Sequence, residues 1–147
     1  MAFVIQSRIQ VLLIYVGSDP TATGGLKRIH TLPATLEQPA GPNHPSEITV
    51  SPDGRFAYLA NRGNDTITTF AVDEEVPAAI DEVPKGGEFP RHFALAGPWM
   101  YVANERSHSV TVLRLDDGVP RPTGLAVETL APTCVLPWRQ CSEPRSA

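Results

Sequence analysis

Apolar residues along this chain fall in short bursts bounded by turn signals. The clearest is Thr66–Val72, where Thr and apolar residues alternate with the period of two of a half-buried strand. Phe56–Ala60 precedes it across the loop Asn61-Arg62-Gly63-Asn64-Asp65. Ile48–Ser51 precedes that across Pro52-Asp53-Gly54, and Ile80–Val83 is the weakest of the four. A second series reads Phe93–Leu95, Met100–Ala103, Ser109–Leu115 and Leu125–Leu130, and the longest apolar run, Val11–Val16, fits a buried strand. The pattern predicts an all-β fold of two four-stranded antiparallel meanders packed face to face. Val50, Phe56, Tyr58, Ile67 and Phe70 are expected to build the first core, and Leu95, Tyr101, Val102, Val110 and Val112 the second.

The two series repeat. Pro45–Asp73 aligns with Pro90–Asp116: Pro45 matches Pro90 and, after a two-residue deletion in the turn, Tyr58, Asn61 and Asp73 match Tyr101, Asn104 and Asp116 at a constant offset of 43. Stepping back from Tyr58 reaches Tyr15 in LLIYVGS, and stepping forward from Pro90 reaches Pro132 in PTCVL. Four antiparallel strands every ~43 residues is the period of a β-propeller blade. A sandwich would not return Tyr and Asn at a fixed interval.

Composition narrows the field. The 147 residues include 15 Pro and 11 Gly, a density of breakers that excludes long helices. Twelve basic residues against sixteen acidic give a net charge of −4, which argues against a nucleic-acid surface. The aromatics Phe70, Tyr58, Trp99 and Tyr101 fall on strands rather than on a base-stacking platform. No run approaches the ~20 apolar residues of a membrane helix, and Val11–Val16 has neither the length nor the cleavage site of a signal peptide. Cys134 and Cys141 make no disulfide framework and no zinc motif. A cytoplasmic protein is expected. No pair of its four histidines has zincin spacing, and no Gly pair opens a phosphate loop, so neither metal nor organic cofactor is expected.

The runs HPSEITVSPDGRFAYLANRG, GGEFPRHFAL, YVANERSHSVTVLRLDDG and PTCVLP resemble the C-terminal part of the seven-bladed propeller lactonases, the family of the bacterial 6-phosphogluconolactonases. The resemblance covers about Leu26 to Leu136. It divides the chain into a non-family segment 1–23, a partial propeller domain 24–136 and a disordered tail 137–147. Seven blades need roughly 300 residues, so the resemblance is to a truncated portion of such an enzyme. It implies hydrolysis of a sugar lactone such as 6-phosphogluconolactone to the acid, impaired by the truncation, with no cofactor. Open blade edges are expected to promote self-association.

Topology sorts the loops. Alternating strands place the second-to-third-strand loops (61–65, 104–108) and the blade-to-blade connectors (39–47, 85–92) on one face. That face collects His44, Glu47, Arg62, Arg91, His92 and Asn104. Lactone hydrolysis needs a base to activate water and cations for an anionic substrate and the developing oxyanion. The resemblance assigns Glu47 as general base or water-orienting group and Arg62 and Arg91 as anion- or oxyanion-binding residues. His44, His92 and Asn104 are expected to bind substrate. Structural alternatives stand beside each role. Glu47 and Arg91 fit a rim salt bridge between blades, Arg62 a solvated loop residue, His44 a loop position and His92 a hydrogen-bonded core histidine. At the level of function, a non-catalytic propeller piece serving as a binding module, or a remnant, is the alternative to an enzyme.

Overall fold

The computed structural model describes residues 2–6, 11–17 and 26–138. Those residues form eleven strands and no helix. The strands are β1 (Ala2–Gln6), β2 (Val11–Gly17), β3 (Leu26–Pro33), β4 (His44–Val50), β5 (Phe56–Arg62), β6 (Thr66–Ala71), β7 (Ala78–Pro84), β8 (Pro90–Ala96), β9 (Trp99–Asn104), β10 (Ser109–Asp116) and β11 (Val119–Glu128). They build a three-stranded sheet, β1-β2-β3, and two four-stranded antiparallel meanders, β4-β5-β6-β7 and β8-β9-β10-β11. Each meander is one copy of the repeat. The disordered tail expected over 137–147 lies outside the described residues from position 139 onward.

The sheets stack. β8 lies beside β4 and β11 beside β7, so inner strand meets inner strand and outer meets outer, as in neighbouring propeller blades. The first meander is covered on both faces, which explains why β5 is buried along almost its whole length. Ala57, Leu59, Phe70 and Val72 pack with Ile14 and Ala34 toward the three-stranded sheet. Phe56, Tyr58, Ala60, Ile67 and Val83 pack with Phe93, Met100, Val102 and Leu113 of the second meander. The Tyr58 hydroxyl also crosses the interface, donating to the Gly118 carbonyl at 2.7 Å.

Several sequence expectations are corrected. Val50 ends β4 at the margin of the packed region and is 37% exposed, so it is not core. Tyr101, Val110 and Val112 are only partly buried. They point to the face of the second meander that no described sheet covers, while Leu113 and Val102 take the inner face. The last strand is β11, Val119–Glu128, not Leu125–Leu130. The preceding loop is a tight hairpin turn at Asp117-Gly118, both with positive φ (49° and 83°). Pro120 and Pro122 lie within β11, and an edge strand tolerates their missing N–H. β3 carries no strong period-two signal in the sequence.

Candidate functional site

The inner strands carry matching irregularities. The β4–β5 register shifts between Pro45 and Glu47, and the β8–β9 register shifts between Pro90 and His92. Each Pro cannot donate to the ladder, and the residue after it, Ser46 or Arg91, is the extra residue of a bulge. Bulges turn side chains out of the regular alternation. Ser46 uses this to tie the blades, donating to Ala60 O (3.3 Å) and to Pro90 O of the next inner strand (2.8 Å).

Just past the two bulges, Glu47 and His92 occupy equivalent positions and face each other, with Oε2 and Nε2 3.8 Å apart. That is beyond direct hydrogen-bond length but within ion-pair range. The Val135 amide donates to His92 Nδ1 at 3.4 Å, which leaves the proton of the neutral ring on Nε2, directed at the carboxylate. Both side chains are a little over one quarter exposed, so water reaches the carboxylate and the imidazole beside it.

A cationic group lies at the same end of the sheets. Arg62 ends β5 on the rung of His44 and donates through Nε to the His44 carbonyl at 3.1 Å. His44 itself is exposed. Arg91 pairs with Glu105 at 3.5 Å. Burial, then the like charge of Arg91, push the Arg62 guanidinium below its ordinary value, and Glu105 partly offsets them. Arg62 and Arg91 are therefore electrostatic neighbours.

Phe89, Arg106, Glu105 and Lys85 were missed from sequence. The guanidinium carbons of Arg62 and Arg106 lie over the Phe89 ring, 5.4 and 3.9 Å from its centre. Phe89 has φ +60°, which costs a residue other than glycine on the order of 1 kcal/mol. Two neighbours hold it there. Asp65 accepts the Phe89 amide at 2.8 Å, and Phe89 O accepts from Glu105 N at 3.1 Å. Lys85 anchors Asp65. Its wholly buried side chain lies 3.3 Å from the Asp65 carboxylate and donates to Gly87 O at 2.6 Å. Desolvation pushes the Lys85 ammonium down, while Asp65 and Glu88 push it back up. A Phe before a Pro carries no sequence mark of such a conformation, and Lys85 reads as an ordinary linker charge.

Asn104 is turned inward. It is wholly buried, and its Nδ2 donates to Thr111 Oγ1 (3.0 Å) and Val102 O (3.2 Å). Its repeat partner Asn61 does the equivalent with Thr68 Oγ1 (2.9 Å). Thr68 and Thr111 in turn donate to the carbonyls of Ala34 and Lys85. The Asn at the constant offset thus fastens each connector to its blade. A Cβ at Gly87 would sit 2.6 Å from the Asn104 side chain, so glycine is required beside it. The structure therefore brings His44, Glu47, Arg62, Arg91 and His92 to one end, and places Asn104 beneath that surface.

Stacked four-stranded meanders with charged side chains gathered at one end of their inner strands define blades of a β-propeller. The chain belongs to the seven-bladed β-propeller lactonase family, whose pattern matches residues 6–137. It is 38% identical over 77 residues to a 6-phosphogluconolactonase of Formosa agariphila, covering 48% of this chain and 22% of that protein. With a 6-phosphogluconolactonase of Bacillus subtilis it is 31% identical over 123 residues, 80% of this chain and 35% of that one. The chain thus spans roughly a fifth to a third of the length of these relatives. Among solved structures it is similar to the periplasmic gluconolactonase PpgL of Pseudomonas aeruginosa, with TM-score 0.81 and 25% identity over 89% of this chain and 37% of that one. A Lactobacillus plantarum protein shares the fold at TM-score 0.82 and 23% identity, over 90% of this chain and 40% of that one.

Proposed function

We propose that this chain contributes to hydrolysis of a sugar lactone, of the 6-phosphogluconolactone kind, to the open-chain acid. The observation that carries this reading is the Glu47–His92 pair on adjacent inner strands, beside the cationic group of Arg62 and Arg91. In this mechanism the Glu47 carboxylate takes a proton from water as its oxygen attacks the lactone carbonyl. His92, fixed through Nδ1, orients Glu47. Arg91 balances the charge that develops on the carbonyl oxygen, and Arg62 holds the anionic group of the substrate. Collapse of the tetrahedral intermediate breaks the bond to the ring oxygen, which takes the proton held by Glu47 to become the free hydroxyl, and the acid formed loses its proton to solvent to give the carboxylate. His44 is proposed to line the same opening, and Asn104 to support it from below.

Family membership supports the reading, as do the names of the relatives; the substrate itself is a proposal. So is the compartment. Among the described residues no helix is long and apolar enough to cross a membrane, and the cytoplasmic assignment rests on cysteine usage. Self-association through the uncovered blade face is also proposed.

A second reading, a non-catalytic binding module, draws on the Arg91–Glu105 pair, because an Arg held by a neighbouring carboxylate also fits a structural rim contact. Hydrolysis of freshly prepared 6-phosphogluconolactone by the purified chain, beside a full-length relative as control, separates the two. The lactonase reading expects a rate above the buffer blank and below that of the control. The module reading expects none.

A further inference from the structure

Of the three guanidiniums at the site, Arg91 has a carboxylate partner, Glu105. Among the described residues no carboxylate pairs with Arg62 or Arg106. Their partners are backbone groups and the ring of Phe89. Arg106 is exposed and Arg62 partly so. Two guanidiniums without a carboxylate in salt-bridge range are thus gathered over one aromatic ring, an arrangement that favours entry of an anion. Glu88, next to Phe89 in the chain, is engaged through its backbone with Ser107 and Arg106 and pairs with neither guanidinium.

The arrangement is also built in advance. The Phe89 backbone sits in a conformation that persists only when its surroundings impose it. Asp65 supplies the imposing bond, and the buried Lys85 fixes Asp65. Arg106 is brought over the ring by paired backbone bonds, Glu105 N to Phe89 O (3.1 Å) and Arg106 N to Glu88 O (3.3 Å). Both blades therefore contribute to one platform. The Glu47–Ala60 and His44–Arg62 rungs are two residues apart along β5, a backbone separation of roughly 7 Å. A six-carbon chain ending in a phosphate can bridge that span.

We propose that Arg62 and Arg106, stacked over Phe89, form a subsite for a dianionic phosphate monoester, and that Arg106 decides between phosphorylated and neutral sugar acids or lactones. Only the identity of the ligand rests on the lactonase reading. Arg suits this task because its planar fork meets phosphate oxygens two at a time while its face stays on the ring.

The test compares 6-phosphogluconate with gluconate as ligands of the purified chain, following the arginine Nε–Hε signals by NMR titration. 6-Phosphogluconate is expected to bind at least tenfold more tightly than gluconate and to move the signals of Arg62 and Arg106. Arg106→Ala is expected to lower its affinity about tenfold while changing that of gluconate less than twofold, and Arg106→Lys to restore part of the loss. Because Arg106 is exposed, these variants are expected to fold. Equal affinities in the wild type, no binding of either ligand, or equal weakening of both by Arg106→Ala would overturn the proposal. Lactone turnover without phosphate preference sinks this inference alone. Phosphate-selective binding without turnover sinks the catalytic reading alone.

Discussion

Tyr58 shows how one side chain couples the two blades and how its chemistry is exposed by pH. It is fully buried and its hydroxyl donates to Gly118 O across the interface. Burial, then the charge of Asp53, push the phenol from 10.0 up to about 12. The folded state therefore keeps its proton over a range where the unfolded chain releases it. The stabilisation is fully present below pH 10 and is lost as pH rises toward 12, on the order of 2 kcal/mol when complete. Tyr58→Phe is expected to lower stability at pH 7 by about 1 kcal/mol, since Gly118 O loses its donor. The same variant is expected to decline less than wild type between pH 10 and 12. Urea unfolding at pH 7, 10 and 11.5 checks both, and parallel declines would exclude Tyr58 as the cause. At this scale the sequence was informative where a residue recurs. Pro45 and Pro90 mark the bulges, and Glu47 and His92 follow them at one spacing. Asn61 and Asn104 recur because each is hydrogen-bonded to a Thr of the next strand, a packing role that repetition alone does not distinguish from substrate binding. Phe89 and Arg106 do not recur, and their meeting depends on a backbone conformation that residue type does not encode.

At the scale of elements, strands with a clean alternation were legible, and β11 was not. Its signal was diluted by Pro120, Pro122 and Gly124, which an edge strand tolerates and a central one does not. The overlooked mark was Asp117-Gly118, a dipeptide suited to the two-residue hairpin turn. Gly118 is fixed twice over. Its φ is +83°, and a Cβ there would run into the ring of Phe56. Gly118→Ala is therefore expected to destabilise the chain by about 2–4 kcal/mol, through the turn and the blade interface together. Thermal unfolding monitored by circular dichroism measures it. A loss under about 0.5 kcal/mol would mean that the hairpin relaxes without disturbing Phe56.

Among the described residues, sheets cover the first blade on both faces and the second on one. That asymmetry explains why Tyr101, Val110 and Val112 are less buried than their pattern predicted, since hydrophobic periodicity marks a face without saying what covers it. Val127 is 64% exposed on the edge strand, and Leu130 and Trp138 beyond it are about 85% exposed. An apolar surface of this kind favours association. Light scattering after size exclusion is expected to show oligomers at tens of micromolar, and a stable monomer there would contradict it.

In the proposed reaction a carboxylate on one inner strand, oriented by an imidazole on the next, activates water against a lactone. Its most direct test is the initial rate of 6-phosphogluconolactone hydrolysis by the wild-type chain and by Glu47→Gln, followed by proton release at constant pH. The substitution keeps the shape of the side chain and removes its basicity. The wild-type rate is expected to exceed the blank and to fall by about 100-fold or to the blank in Glu47→Gln, with the circular dichroism spectrum unchanged. A wild-type rate no greater than the blank, or one that survives the substitution, would contradict it.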